Sequence, residues 1–237
     1  STANCRVGFQ PNLDLEIANT GDTPVVNPRV VVNDRGDWRD RASLAREWTR
    51  GASTDQEKAL LLWQNMRQHT YHHDPLFESD VQHDPVLLFN VFGFGLCDDA
   101  AQAGCALFRE AGLHGSVCRA LDGHVQCEAM VDGRLQFLDV DMDCFFLDRE
   151  NERPVSGDEL ARDHDLVRRE LNRGPVVGSF MPSEDLATLF GPDDVHFEPP
   201  RGDHRLDYIL RPGERVVFHW AYRVKFAALD EVHALRP

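Results

Sequence analysis

The stretch GLCDDAAQAGCALFREAG, residues 95–112, decides the fold. Phe92-Gly93-Phe94-Gly95 breaks regular structure just before it, and Gly112 supplies a usual helix stop. Between these limits Ala101, Gly104, Cys105 and Phe108 recur at i, i+3, i+4 and i+7, flanked by Ala100, Ala103 and Leu107. That spacing predicts a helix over Cys97–Ala111 with an apolar stripe. Gly104 costs about 1 kcal/mol against Ala inside a helix, but its small size lets the helix lie close on a neighbour. Cys97 stands at the helix start, where unpaired N–H groups and positive potential favour a thiolate and a developing oxyanion. Asp98 and Asp99 work against this, because neighbouring negative charge disfavours the thiolate, so a histidine partner is needed to overcome them.

The following residues supply that partner. Gly115–Ala120, His124–Val131 and Arg134–Val140 read as strands, joined by the tight turns Asp122-Gly123 and Asp132-Gly133. Counting outward from the first turn sets Cys118 opposite Cys127 as a non-hydrogen-bonded pair, close enough for a disulfide or for two small buried thiols. Counting from the second sets Gln126 opposite Asp139 and His124 opposite Asp141. Strand alternation places His124, Gln126, Glu128 and Met130 on one face, away from Cys118 and Cys127. Either Asp139 or Asp141 is within reach to orient the His124 ring.

Working outward, Thr54 and Glu57 form a capping box ahead of a largely buried helical segment, Lys58–Gln68, with Leu60, Leu61, Leu62, Trp63 and Met66. His69 to Asp84 reads as a long polar loop. After residue 155 come three short helices, Gly157–Arg162, Asp165–Leu171 and Pro182–Leu189. Residues 191–204 read as a linker. The ends read as β-hairpins: residues 12–18 with 24–32, and 205–210 with 215–222 around Pro212-Gly213. The two hairpins are candidates to pair in an accessory sheet. Strands flanking an α-then-β core give an α+β class, with boundaries at 1–35 (hairpin), 36–190 (core) and 191–237 (linker and hairpin).

The chain has 237 residues, of which 42% are hydrophobic and 27% charged, enough to bury a real core. Its formal charge of −15 argues against nucleic acid or an anionic membrane as partner. No apolar run reaches the roughly 18 residues that span a bilayer. A water-soluble protein is expected, with a secreted or periplasmic location compatible and the compartment and oligomeric state open. The six cysteines include no C-x-x-C pair, so neither a zinc ribbon nor a thioredoxin-type site is expected.

Taken together, Gly95-Leu96-Cys97-Asp98-Asp99-Ala100-Ala101, the helix stop at Gly112, His124-Val125-Gln126-Cys127-Glu128, Asp132-Gly133-Arg134 and Leu138-Asp139 resemble the transglutaminase-like superfamily, over roughly residues 55–145. That family places Cys at a helix start, His at the start of a following strand and Asp at the end of the next. The resemblance implies a papain-like core in which Cys97 is nucleophile, His124 general base and acid, and Asp139 the orienter. The pattern departs from the family's at Gln126, where an aromatic residue is usual, and at Asp99, where an apolar or aromatic one is usual.

Three function classes follow. The first is a cysteine hydrolase of protease or amidase type, passing through a thioester, with a peptide or amide substrate and no cofactor. The second is a glycosidase or lyase acting on a carbohydrate, using paired carboxylates with a His or Tyr. The third is a binding domain without catalysis. Tyr71, His72, Gln126 and Asp141 are candidate substrate-binding residues. The His- and Asp-rich segment (His69, His72, His73, Asp74, His83, Asp84) reads as a solvated loop or a cleft wall, with a transition-metal site as a weaker alternative. Asp139, Asp141, Asp143 and Asp148 lack the Gly and Glu of a calcium loop. No metal site is therefore assigned.

Overall fold

The computed structural model describes residues 14–31, 36, 38–75, 80–169, 182–199 and 202–219. In chain order the elements are β1 (Asp14–Ala18), β2 (Val25–Val26), α1 (Arg41–Trp48), α2 (Asp55–His69), a 3-10 turn (Asp80–His83), α3 (Pro85–Leu87), a π-type turn (Leu88–Phe92) and α4 (Cys97–Glu110). Then come β3 (Val117–Leu121), β4 (His124–Val131), β5 (Arg134–Phe137), α5 (Gly157–Arg162), α6 (Asp165–Arg168), α7 (Ser183–Thr188), β6 (Val195–Phe197), β7 (Ile209–Leu210) and β8 (Arg215–His219). The class is α+β with antiparallel sheets. No helix among the described residues is long and apolar enough to cross a membrane.

The chain divides into two compact units, Val30–Leu206 and the joined termini, Ser1–Arg29 with Asp207–Pro237. In the terminal unit β1 pairs with β8, from Asp14 opposite His219 to Ala18 opposite Arg215, and β2 pairs with β7. The expected hairpins are therefore replaced by pairing across the ends of the chain. Pro24 and Pro28 limit the second N-terminal strand to two residues, since proline lacks a ladder donor. The Asn19 side chain donates to the carbonyls of Thr23 (2.8 Å) and Leu210 (2.9 Å), which fixes this crossing. Residues 12–13, 32 and 220–222 of the expected strands, and 170–171 of the expected helix after Asp165, lie outside the described residues.

The larger unit is organised by a four-stranded antiparallel sheet in the order β5-β4-β3-β6. The first expected register is present, with Cys118 facing Cys127; the second holds from Val131 to Glu128, which faces Phe137, and the ladder stops there, short of the expected pairs Gln126–Asp139 and His124–Asp141. Asp132 and Gly133 both have positive φ (49° and 77°), as the favoured hairpin turn requires. Cys118 and Cys127 are nonetheless free thiols, as are the other described cysteines. Cys5 lies outside the described residues. The segment assigned to a linker contributes β6, the fourth strand, paired with β3. Its three residues are too few to show alternation in sequence.

The two faces of the sheet are buried differently. Cys118, Cys127, Ala129 and Val131 pack in one core with α4 (Ala100, Ala103, Leu107, Phe108), α2 (Leu62, Met66) and α1 (Leu44, Trp48). Leu121 and Phe137 pack on the other side with Phe146, Val155, Leu160, Leu186 and Phe190. α2 begins at the expected capping box, with Glu57 N–H donating to Thr54 Oγ1 (3.1 Å) and Thr54 N–H to Glu57 Oε2 (3.2 Å). α1 was not anticipated. Its signal was available in the reciprocal cap between Asp40 and Ser43, ahead of Leu44, Ala45 and Trp48.

At Gly104, α4 lies directly against the sheet. A Cβ there would sit 3.0 Å from Cys127 Sγ and 3.3 Å from Met66 Sδ. Cys127 is fully buried, and its thiol donates to the Leu138 carbonyl (3.4 Å), so it has little room to retreat. Gly104→Ala gains about 1 kcal/mol of helix propensity but incurs overpacking of about 1–3 kcal/mol. A net loss of about 1 kcal/mol is expected in denaturant unfolding. Cys127→Ala in the same chain should recover part of it, whereas strictly additive losses would contradict the contact.

Candidate functional site

Cys97 is the first residue of α4 and is partly exposed, in contrast to the buried Cys105, Cys118, Cys127 and Cys144. The approach to it is held by backbone pairing. Gly95 N–H donates to the Tyr71 carbonyl (3.2 Å), and His73 N–H donates to the Gly95 carbonyl (3.0 Å). The segment after α2 is thereby fixed beside the loop that leads into Cys97. Asp99 turns back along the helix, and its Oδ2 accepts from Leu96 N–H at 2.9 Å. A Cβ on Gly95 would meet that carboxylate at 2.7 Å, so the position has no space for a side chain. Asp98 and Asp99 both face His83, at 3.3 and 3.4 Å, and the hydrogen bond from His83 holds the Asp98 carboxyl below the usual carboxylate range. The two acidic neighbours of Cys97 are therefore turned toward other partners.

His124 opens β4, and its ring is buried. Its Nε2 lies 2.6 Å from Asp139 Oδ2. That leaves Nδ1 for Cys97, whose sulfur lies within 4.8 Å of a His124 ring nitrogen. Burial alone would disfavour a charged ring, but the Asp139 charge, its hydrogen bond and the Cys97 sulfur outweigh it. The His124 pKa is pushed up to about 10. Among the three residues of the expected triad, these contacts join Cys97 to His124 and His124 to Asp139.

Asp139 is fixed on every side. Its Oδ1 accepts from the N–H groups of Asp141 (2.9 Å) and Met142 (2.8 Å). Its carbonyl accepts from Trp63 Nε1 on α2 (2.7 Å) and from Cys144 N–H (3.2 Å). This tight turn ends β5 at Phe137, earlier than the expected Val140. It also removes Asp141 from the role of rival orienter. Asp141 bonds His72 Nδ1 with both oxygens (2.8 and 3.0 Å), and one of its oxygens lies within 4.8 Å of Cys97 Sγ and the His124 nitrogen. Burial and the Asp139 charge raise its pKa.

The remaining candidates separate. Tyr71 joins His73 and Phe94 in a ring cluster at the loop that leads into Cys97, with centroids 5.6–6.3 Å apart. Gln126 is buried in β4, and neither side-chain amide atom has a hydrogen-bond partner among the described residues. It lies opposite Arg119 and is closed to solvent, so it does not present a surface to a substrate. The His-rich segment does not converge on one point. His69 bonds the Asn65 carbonyl and stacks on Trp48, His73 bonds the Asp74 carbonyl, and Asp84 caps α3. The four aspartates also diverge: Asp139 goes to His124, Asp141 to His72, Asp143 to Arg67 and Asp148 to Glu152 N–H. His83 with Asp98 and Asp99 is a cluster that the sequence reading did not isolate, because the chain return through the 3-10 turn is not visible as a pattern.

A separate cleft of about 260 Å³ is lined by Arg119, Asp158, Arg162 and Asp194. It contains none of Cys97, His124 or Asp139. Arg119 is already bound by Asp158 (2.6 Å) and Asp194 (2.8 Å), which satisfies its charge internally. The cluster of Cys97, His124 and Asp139, rather than this cleft, is the candidate site.

Compared with protein-family models and with curated proteins, the chain matches none.

Because the folded-state pKa of His124 lies above its ordinary 6.5, the protonated ring stabilises the fold. That contribution is fully present below about pH 6.5 and is lost as the pH rises through about 10. Unfolding stability measured across this window should fall more steeply for the parent protein than for Asp139→Asn, which removes the charge facing the ring. Equal slopes would contradict the pairing.

Proposed function

We propose that this chain is a cysteine hydrolase of protease or amidase type with a transglutaminase-like core. The observation that carries the reading is Cys97 at the start of a buried helix, facing a His124 ring whose far nitrogen is held by Asp139 at 2.6 Å. The order Cys on a helix start, His on a strand start and Asp just beyond the next strand supports the family assignment.

In this reading His124 takes the Cys97 proton, and Sγ attacks the carbonyl carbon of an amide. The C–S bond forms as the carbonyl π pair moves to oxygen. The oxyanion lies near the first-turn N–H groups of α4, which lack intrahelical acceptors. His124 then protonates the leaving nitrogen as the C–N bond breaks, giving a thioester. Water, giving its proton to His124, attacks the thioester and returns the thiolate. Asp139 orients the ring and stabilises its charged form throughout. Asp141 with His72, and Tyr71 with His73 and Phe94, form the walls that a peptide or amide would meet.

A carbohydrate-acting enzyme is the second reading. It is favoured by one observation: Asp141 is a carboxyl with a raised pKa paired with His72 in the same place, suited to donating a proton.

A screen of peptide-amide and polysaccharide substrates, run on the parent chain and on Cys97→Ala, separates the two. Amide hydrolysis that falls by at least about a thousandfold in Cys97→Ala is expected. Polysaccharide cleavage that survives Cys97→Ala and is lost in Asp141→Asn would replace the cysteine reading by the carbohydrate one.

A further inference from the structure

Three donor atoms of different chemistry meet at one point beside the nucleophile: Cys97 Sγ, a His124 ring nitrogen and an Asp141 carboxylate oxygen, all within 4.8 Å of one another. A tetrahedral zinc ion, with bonds of about 2.0–2.3 Å, holds its ligands roughly 3.5 Å apart. Sulfur, imidazole and carboxylate are all zinc donors, and thiolate with imidazole selects against magnesium and calcium.

The surroundings carry the idea further than the three donors do. Ligating histidines nearly always donate their other ring N–H to a carboxylate, a backbone carbonyl or water, and ligating carboxylates are themselves hydrogen-bonded. Both outer contacts are already present: Asp139 on His124 Nε2 at 2.6 Å, and His72 on Asp141 at 2.8 Å. Cys97 is partly exposed, so an ion has an entry path and a fourth position remains open to water.

The other cluster of this kind, His83 with Asp98 and Asp99, is a poorer candidate. It offers no sulfur, and Asp99 Oδ2 is occupied by Leu96 N–H.

We propose that Cys97, His124 and Asp141 form a binding site for a thiophilic divalent ion, zinc by its ligand chemistry, and that the bound ion blocks the Cys97 thiol. The proposal gives regulation to the site of the proposed hydrolase and rests on that reading only for its consequence, the loss of activity. Binding itself depends on the three donors alone.

Zinc chloride titrated into chelator-treated protein, followed by competition with a chromophoric chelator, measures affinity and stoichiometry. Iodoacetamide labelling mapped to Cys97 measures occlusion of the thiol. One ion per chain is expected, with Cys97 labelling slowed at least about tenfold by zinc and restored by chelator. Asp141→Asn should weaken binding at least about tenfold, and Asp98→Asn should leave it unchanged. Absent binding, binding that leaves Cys97 labelling unchanged, or sensitivity to Asp98→Asn instead of Asp141→Asn would each overturn the site. Amide hydrolysis by the metal-free protein is read separately. Its absence with zinc protection intact would remove the hydrolase reading and keep the ion site, and the reverse result would do the opposite.

Discussion

The Asp139 carboxylate is the point on which the larger unit's chemistry depends. One oxygen is held by two backbone N–H groups of its own turn, and the other faces His124. Its carbonyl is held by Trp63 from α2, and its backbone pairs with Cys144. A buried carboxylate is costly unless paired and hydrogen-bonded, and here each oxygen is accounted for. The same contacts join α2, the start of β4 and the end of β5. A fault at Asp139 would therefore affect both the packing of α2 and the orientation of the His124 ring.

The second constraint is the close approach of α4 to β4. Gly104 lets the helix settle on Cys127. Asp98 and Asp99, which would otherwise oppose a thiolate, are turned toward His83 and toward the Leu96 N–H. The adverse charges are thus used to cap and anchor the helix that carries the sulfur. On the opposite face Glu128 is wholly buried, bonded to Gly157 N–H (2.5 Å) and His196 Nε2 (2.7 Å). This network ties β4 to α5 and β6, away from the thiol.

Much of the arrangement was legible in the sequence because it depends on short-range rules. The turns at Asp122-Gly123 and Asp132-Gly133 set both registers, and the spacing of Ala101, Gly104, Cys105 and Phe108 set α4. Those elements bring Cys97 and His124 together, with Asp139 two residues beyond the end of β5. What was not legible depends on contacts distant in sequence. The choice of Asp139 over Asp141 is made by a turn closed through Cys144 and by Trp63, 76 positions away. The pairing of β1 with β8 joins segments about two hundred residues apart, and no local pattern distinguishes it from two hairpins. β6 is too short to show alternation, and the burial of Gln126 follows from its neighbours rather than its own position.

The central claim is that His124 activates Cys97. Its most direct measurement is the iodoacetamide alkylation rate at each cysteine near pH 6.5, mapped by mass spectrometry in the parent chain and in His124→Gln. Cys97 is expected to react at least about tenfold faster than the buried Cys105, and His124→Gln to remove at least about tenfold of that rate. A Cys97 rate no faster than that of Cys105, or one unchanged by His124→Gln, would contradict it.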